Sequence, residues 1–210
     1  MDRDALLRSL RARIGDERVL AAMAAVPREL FVAPELRSVA YLDRPLPIGG
    51  GQTISQPAVV AAMCQALDLR ARDRVLDVGT GSGYHAAVMS RLCEHVYGLE
   101  LDARLAQVAA EALAAAGIAN VTVLAADGAL GLPGEAPFDA INVAAAARDE
   151  VAPALEAQLA PGGRLIAPVA HDDEEHLVLV RRTPAGLERR TLEAVRFVPL
   201  RSELPRSDER

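Results

Sequence analysis

The sequence predicts an α/β protein with a Rossmann-like fold, in which a largely parallel sheet carries helices on both faces. Between residues 57 and 180, apolar runs of strand length alternate with segments whose apolar residues have helical spacing. Strands that alternate with helices in this way form parallel βαβ units. A glycine-rich turn directly after the first of these strands is the second observation, because this fold joins its first strand to a helix through such a turn.

The predicted core elements follow one another in a regular order. The predicted strands are RVLDVG, HVYGLE, VTVLAAD, FDAINVA and RLIAPVA, and the predicted helices cover residues 57–69, 83–92, 103–116 and 149–159. Each strand is stopped by glycine or by polar residues, which are typical of the turns between such units.

An N-terminal helical arm and a C-terminal β hairpin are predicted on either side of this core. Residues 4–26 have apolar side chains at helical spacing, and Gly15-Asp16 divides them into two helices. Near the C-terminus, LVLVRRT and VRFVPL are predicted to be two strands joined by PAGLERR, and the last residues, PRSDER, are predicted to fray. We expect one domain over residues 1–210, with an arm and loop at 1–56, a cofactor-binding core at 57–180 and closing strands and tail at 181–210.

Composition limits the class of protein but gives no chemistry. A chain of 210 residues with 51% hydrophobic residues can bury a substantial core. The formal charge of −6 and the lack of a long basic run argue against nucleic acid, and no apolar run has the length of a membrane span. The acidic N-terminus is unlike a secretory signal. Two cysteines without a CxxC or Cys/His cluster favour free thiols in the cytoplasm and predict no metal site.

The strongest chemical signal is RVLDVGTGSGYHAA, residues 74–87. Glycines at 79, 81 and 83 let backbone N–H groups approach a ligand at the carboxyl end of the strand. Their spacing is GxGxG. A dinucleotide fingerprint, GxGxxG, would have its third glycine at position 84, which is tyrosine here, so the spacing disfavours a dinucleotide. Asp77, two residues before the first glycine, suits a cationic ligand better than a diphosphate. Tight strand-to-helix turns also use glycine for steric reasons alone, so the turn is weak evidence by itself.

Acidic residues at the ends of the next two strands strengthen this interpretation. Glu100 ends HVYGLE, where a carboxylate can accept both ribose hydroxyls of a nucleoside, and Asp127 follows the third strand, within reach of an adenine amino group. Together with the turn they predict an S-adenosyl-L-methionine site. The cofactor-binding residues predicted from the turn and the strand ends are Asp77, Gly79, Thr80, Gly81, Ser82, Gly83, Glu100, Leu101, Asp127 and Gly128.

The stretch GGGQTISQP, residues 49–57, has two possible explanations. Its glycines tolerate positive φ, and Pro57 suits the first turn of the helix that follows, so a loop entering a helix explains its composition. Methyl transfer to a carboxylate gives the other explanation. A carboxylate with a pKa of about 4 is already ionised at neutral pH and needs no general base, so hydroxyl groups that orient it are sufficient.

The chain resembles the protein-L-isoaspartate O-methyltransferase family over nearly its whole length. The segments that carry the resemblance are VLAAMAAVPRELFV, YLDRPLPIGGGQTISQPAVVAAM, VLDVGTGSGY, APFDAINVAAA, LAPGGRLIAPV and VRFVPL. GQTISQP and VRFVPL are specific to that family. The resemblance implies methylation of the free α-carboxylate of isoaspartyl residues in damaged proteins, as a step in repair. It also implies that Ser55 is the active-site residue and that Thr53 and Ile54 lie against the cofactor.

Departures from the family pattern keep other acceptors open. NVAAAARDEVAP has Ala144 where threonine is usual and Arg148-Asp149 where proline is common, and the acidic HDDEEH replaces a loop that is often rich in glycine. A carboxyl methyltransferase acting on a specific aspartate of a biosynthetic peptide, or on another acid, therefore remains an alternative. A non-catalytic S-adenosylmethionine-binding domain is disfavoured by the intact Ser55 loop. His85 is expected to pack or cap, and no feature of the sequence indicates more than a monomer.

Overall fold

The computed structural model describes residues 1–172 and 174–202. Its helices are α1 (Arg3–Leu10), α2 (Glu17–Ala25), α3 (Pro57–Leu67), α4 (Tyr84–Met89), α5 (Ala103–Ala115) and α6 (Pro153–Glu156). Its strands are β1 (Leu46–Gly49), β2 (Gln52–Ile54), β3 (Arg74–Val78), β4 (His95–Glu100), β5 (Val121–Ala125), β6 (Phe138–Val143), β7 (Ala147–Arg148), β8 (Leu159–His171), β9 (Glu174–Thr183) and β10 (Gly186–Ala194). The predictions for PRSDER and for position 173 fall outside these residues.

The main sheet has the strand order β10-β9-β8-β6-β3-β4-β5, and β7 pairs with β8 beside this path. The strands from β8 to β5 pair in parallel, whereas β8, β9 and β10 pair antiparallel. The chain leaves β3 first toward β4 and β5 and later returns on the other side through β6 and β8. This reversal opens a crevice at the carboxyl ends of β3 and β6, where such folds bind ligands. The predicted α/β class with a largely parallel sheet is confirmed.

Both faces of the sheet are covered, so the central strands are apolar on both sides. On β3, Val75 packs into a cluster that includes Leu10 of α1 and Val60 of α3. The next residue, Leu76, packs into a second cluster with Phe138 and Leu155 on the opposite face. The N-terminal arm is therefore part of the packing of one sheet face. None of the helices in the described part of the chain has the length and hydropathy that a membrane crossing requires.

The C-terminal hairpin is present, but its second strand is not the predicted one. GLERRTLEA forms β10, and only Pro184 and Ala185 lie in the turn between β9 and β10. The charged residues of both signs in this strand are typical of a sheet edge, where charged side chains protect unpaired backbone groups. VRFVPL instead runs back over the carboxyl end of the sheet, where Pro199 forms an isolated bridge with Ala146.

The predicted helix at residues 149–159 is also mostly wrong. Only Pro153–Glu156 is helical, because Ala147–Arg148 pairs with β8 and Asp149 has a φ of +64°. Strand β8 begins at Leu159, before the PGG that was expected to precede it. The helix that starts at Pro57 ends at Leu67, where Asp68 adopts the left-handed conformation with a φ of +45°.

A buried arginine joins several of these elements. The Arg164 side chain on β8 donates to the backbone carbonyls of Leu67, Asp68 and Asp139 and to the Asp73 carboxylate, 2.6 Å away. Both side chains of the ion pair are less than a tenth exposed. Because every contact closes the chain over a long sequence distance, Arg164 fixes the end of α3 and the entry to β3 against the sheet.

We predict that Arg164→Met lowers the free energy of unfolding by about 3–5 kcal/mol, because it leaves the Asp73 carboxylate buried without its partner. Urea unfolding followed by circular dichroism measures the change. Arg11→Ala is the control, since it breaks an ion pair with Glu17 that lies on the surface, and its unfolding midpoint should stay close to that of the wild type. A midpoint for Arg164→Met equal to that of the control would contradict the structural role of Arg164.

Candidate active site

A cleft of about 270 Å³ opens at the carboxyl ends of β3 and β4. The β1–β2 hairpin covers one side of it, and the segment at 198–201 covers another. Six of the predicted site residues border this cleft: Thr53, Gly79, Gly81, Glu100, Leu101 and Gly128. Ile54, Ser55, Thr80 and Ser82 border a small adjoining cavity of about 20 Å³, together with Thr53, Gly79 and Gly81. The residues that line neither space are Asp77, Gly83 and Asp127.

Backbone conformation explains the glycines of the turn. Gly79, Gly81 and Gly83 have φ values of +80°, +55° and +86°, which other residues adopt only with strain. Close packing is the reason for glycine at position 128, because a Cβ atom there would lie 2.5 Å from Cγ1 of Val78. Backbone rather than side chain therefore forms this wall of the cleft.

Glu100 connects the ends of β3 and β4. Its Oε2 accepts a 2.8 Å hydrogen bond from the Gly81 N–H, and its Oε1 accepts one of 3.1 Å from the Asp102 N–H. The carboxylate borders the cleft although the residue is only 8% exposed. Each carboxylate oxygen has a further lone pair, so Glu100 can still accept two ligand hydroxyls.

Asp77 lies behind the turn in a buried polar network. Its carboxylate accepts hydrogen bonds from the Asn142 Nδ2 at 2.7 Å and from the Thr80 hydroxyl at 3.0 Å. Asn142 also contacts the Nδ1 of His85 at 3.2 Å, and the His85 Nε2 lies 3.5 Å from the Cys64 sulfur. Burial raises the pKa of Asp77 to about 6 and lowers the pKa of His85 to about 3. His85 is thus a neutral interior side chain.

Asp127 begins a short 3₁₀ turn next to Gly128. Its Oδ1 accepts a hydrogen bond from the Ala129 N–H, and its Oδ2 accepts one of 2.7 Å from the Ser202 hydroxyl. Asp127 therefore directly precedes Gly128, which lines the cleft, while its own carboxylate contacts the chain segment that follows VRFVPL.

Ser55 lies in a second pocket, of about 260 Å³, on the other side of the β1–β2 hairpin. Thr53, Ala144 and Val198 border both this pocket and the first cleft, so the two spaces meet there. The backbone of Gln56, not the Ser55 side chain, caps α3. Among the described residues, the Ser55 hydroxyl has no hydrogen-bond partner. The loop-and-helix explanation of GGGQTISQP therefore accounts for Pro57 but not for Ser55.

Arg28 and Asp43 hold the Ser55 loop from two sides, and sequence reasoning missed both. The fully buried Arg28 donates 2.8 Å hydrogen bonds to the carbonyls of Ser55 and Ala40, and its guanidinium lies 4.7 Å from the centre of the Tyr84 ring. Asp43 accepts hydrogen bonds from the Ala58 N–H and from the Gln56 side chain. The only sequence signal was that Arg28 follows Pro27 within VLAAMAAVPRELFV, one of the segments that carry the family resemblance.

Other residues that border the first cleft were not predicted either. They come mainly from the segment after β6 and from the C-terminal segment and comprise Gly50, Gln52, Val78, Leu99, Asp102, Ala144, Ala145, Val198, Pro199, Leu200 and Arg201. Arg148 and Asp149, noted as departures, lie on β7 and just beyond it, and the HDDEEH residues that the structure describes form the β8–β9 turn region. Within residues 1–172 and 174–202, no group of three His, Cys, Asp or Glu residues could hold a metal ion.

An open parallel sheet, a glycine turn with left-handed backbone and an acid at the end of the neighbouring strand define a nucleoside-binding methyltransferase fold. Comparison with known proteins narrows this class. The family model described as protein-L-isoaspartate(D-aspartate) O-methyltransferase matches residues 1–204. The chain therefore belongs to this family and is an S-adenosylmethionine-dependent protein carboxyl O-methyltransferase. The resemblance found in the sequence is confirmed, and so is the predicted cofactor.

Individual relatives agree with this assignment. The protein-L-isoaspartate O-methyltransferase of Methanoculleus marisnigri is 50% identical over 192 residues, which are 91% of this chain and 87% of the relative. That of Methanothrix thermoacetophila is 48% identical over 203 residues, 95% of each chain. A Plasmodium falciparum structure described as a protein-L-isoaspartate O-methyltransferase in complex with S-adenosyl-L-homocysteine superposes with a TM-score of 0.85. It is 28% identical, and the match covers 96% of this chain and 99% of that one.

The raised pKa of Asp77 predicts a dependence of stability on pH. The folded state binds the Asp77 proton with a pKa of about 6, above the ordinary value of 3.8. This proton therefore stabilises the fold fully below pH 3.8, and the contribution is lost as the pH rises through 6. Relative to Asp77→Asn, the wild type should lose about 2 kcal/mol of unfolding free energy between pH 4 and pH 7.

Urea unfolding of both proteins across this pH range measures the difference. Asp4→Asn, on an exposed position of α1, is the control and should show no such relative slope. A constant difference between the wild type and Asp77→Asn would mean that Asp77 titrates normally in the folded protein.

Proposed function

We propose that this chain repairs damaged proteins by methylating the free α-carboxylate of isoaspartyl residues, with Ser55 orienting the acceptor and the Glu100 cleft holding the cofactor. One observation carries the proposal. The Ser55 pocket and the Glu100 cleft meet at Thr53, Ala144 and Val198, so an acceptor in one can face a methyl donor in the other. Methyl transfer needs this arrangement, since the reacting atoms must approach within about 3–3.5 Å in line.

The residues of the cleft fit S-adenosyl-L-methionine. Gly79 and Gly81 present backbone without side chains, and the missing Cβ at Gly128 keeps the opposite wall close to Val78. We assign the ribose hydroxyls to Glu100 and the adenine to the side of the cleft formed by Leu101 and Gly128, with Asp127 at its rim. When bound, S-adenosyl-L-methionine supplies a sulfonium methyl group that a nucleophile displaces in line.

Asp77, Thr80, Ser82 and Gly83 support this cleft from behind in the same proposal. Asp77 accepts the Thr80 hydroxyl and so fixes the turn between Gly79 and Gly81. Gly83 begins α4, and a Cβ atom there would lie 3.3 Å from the Ala109 side chain. These residues would shape the cofactor site without touching the nucleoside.

Ser55 would act on the acceptor by orientation. An ionised carboxylate offers one oxygen as a nucleophile, and a hydroxyl that donates to the other oxygen fixes its direction of attack. The hydrogen bond from Arg28 to the Ser55 carbonyl sets the position of that hydroxyl. Buried Ile54, 3% exposed, lies between Thr53 and Ser55 and helps to exclude water from the junction.

The proposal also includes the cellular compartment, the oligomeric state and the kind of partner. Cys64 and Cys93 are both free thiols, which supports a reducing cytoplasm. The exposed large apolar residues of the described chain, Met1, Val108, Leu130 and Leu187, belong to separate elements, which supports a monomer. The formal charge of −6 supports polypeptide rather than nucleic acid as the partner.

Ser55→Ala should separate binding from chemistry. If the hydroxyl orients the acceptor, turnover of an isoaspartyl peptide should fall by about 10- to 1000-fold, up to the loss seen when a comparable donor is removed. Affinity for S-adenosylmethionine, measured by calorimetry, should stay near that of the wild type. The exposed Ser38→Ala is the control. Equal losses in affinity and rate would place Ser55 in the cofactor site, and a wild-type rate would remove it from the mechanism.

The acceptor itself is tested with two peptides that differ only at one residue. An isoaspartyl residue carries its carboxylate on one carbon fewer than aspartate, so a pocket fitted to it misplaces the aspartate carboxylate by on the order of 1 Å, which can reduce the rate about a hundredfold. We therefore expect kcat/KM for the isoaspartyl peptide to exceed that for the aspartyl peptide by at least about a hundredfold. Comparable values would assign the enzyme to another carboxylate acceptor.

A further inference from the structure

A groove of about 420 Å³ continues from the Ser55 pocket along the outer face of α3. The two spaces share Arg13, Ala58 and Glu193. The floor of the groove is α3 itself, where Ala58, Ala62 and Ala66 recur at every fourth position. Alanine at these positions leaves open space between the helix and the β9–β10 hairpin. Nothing in the mechanism above requires this groove.

Arginine side chains surround the groove. Arg13 follows α1, whereas Arg181 and Arg190 project from β9 and β10 on the side of the hairpin that faces α3. None of the three has an ion pair or a side-chain hydrogen bond with another described residue. The neighbouring arginines on the opposite side of the hairpin are engaged, since Arg182 donates to the Leu159 carbonyl and Arg189 to the Glu156 carboxylate. The same hairpin thus has one set of bound arginines and one set of unpaired ones.

Acidic neighbours do not neutralise this cluster. Asp68 and Glu193 also border the groove, and Glu188 lies opposite Arg181 in the hairpin. The Asp68 carboxylate accepts a hydrogen bond from Arg18, and neither glutamate lies within ion-pair distance of the three arginines. On a chain with a formal charge of −6, the groove therefore keeps a local excess of donors for a carboxylate.

We propose that this groove binds an acidic side chain, Asp or Glu, of the substrate polypeptide a few residues away from the methylated one. The inference rests on the proposed function. From Ala58 to Ala66 the helix rises about 12 Å, which an extended polypeptide spans with about four residues. When the residue to be methylated lies at Ser55, a substrate residue about three to five positions away along the polypeptide therefore lies beside Arg181 and Arg190. The groove therefore favours damaged segments that carry an acidic residue at this distance from the target.

The test uses isoaspartyl peptides with one Glu at positions two to six on either side of the target, each paired with a Gln peptide. In one register, about four residues away, the Glu peptide should have a KM about five- to tenfold lower at low salt, with kcat unchanged, because the contact acts equally on ground and transition states. The preference should disappear at high salt. Fluorescence anisotropy with labelled peptides measures binding independently of turnover.

Variants decide whether the arginines cause the preference. For each peptide pair, the KM of the Gln peptide is divided by the KM of the Glu peptide, and the same ratio is formed from the dissociation constants. In the double variant Arg181→Gln/Arg190→Gln both ratios should fall to about one. Arg91→Gln removes a charge from an exposed arginine that does not line the groove, and it should keep the wild-type ratio. No preference in any register, a preference that survives in the double variant, or an equal loss in Arg91→Gln would overturn the proposal. Failure of the proposed function would give a different result, because no peptide would then be methylated. The ratio of dissociation constants would still show whether the groove binds an acidic side chain.

Discussion

The buried guanidinium of Arg28 is the constraint on which the acceptor side of this enzyme depends. It contacts the chain at three other places, the Ala40 carbonyl, the Ser55 carbonyl and the Tyr84 ring. Burial lowers the pKa of this arginine, and its Nη1 has no hydrogen-bond partner among the described atoms. Because charge inside a protein is unfavourable unless its donors are satisfied, the fold tolerates Arg28 only with these carbonyls in place. The N-terminal arm and the Ser55 loop are therefore fixed together.

The cofactor side has a different kind of rigidity, which comes from the ends of the parallel strands. Glu100 at the end of β4 accepts the Gly81 N–H, and Asp77 near the end of β3 accepts the Asn142 side chain of β6. These bonds link three neighbouring strands at their carboxyl ends, on the edge of the sheet where the cleft opens. A site held in this way needs little reorganisation when a ligand enters, and preorganisation of this kind is what positions reacting groups. Thr53 and Ala144 then join this rigid cleft to the loop that Arg28 holds.

Periodicity and local motifs predicted much of this arrangement, and the failures have a common physical cause. The alternation of strands and helices and the glycine turn are local patterns, and they predicted the sheet and five of the residues that line the cleft. PAGLERR was predicted to be a connection, whereas its last five residues, GLERR, begin β10, because charged residues on an exposed edge strand resemble a loop in sequence. Arg28 and Arg164 were missed because their partners lie 12 to 97 residues away along the chain. Contacts at such separations leave no periodic signal, although an arginine at the start of the apolar run RLIAPV could have drawn attention to Arg164.

The titratable residues next to the glycine turn have structural roles and take no part in proton transfer. Burial shifts the pKa values of His85 and Asp77 toward their neutral forms, and both side chains are enclosed in hydrogen bonds behind the glycine turn. Methyl transfer to a carboxylate leaves no proton for them to accept, because the nucleophile is already ionised at neutral pH. Selectivity must then arise from where the acceptor carboxylate is placed, and placement depends on the Ser55 loop and on contacts further along the polypeptide. Those contacts can vary among relatives without altering the cleft, because the groove along α3 shares no residue with it.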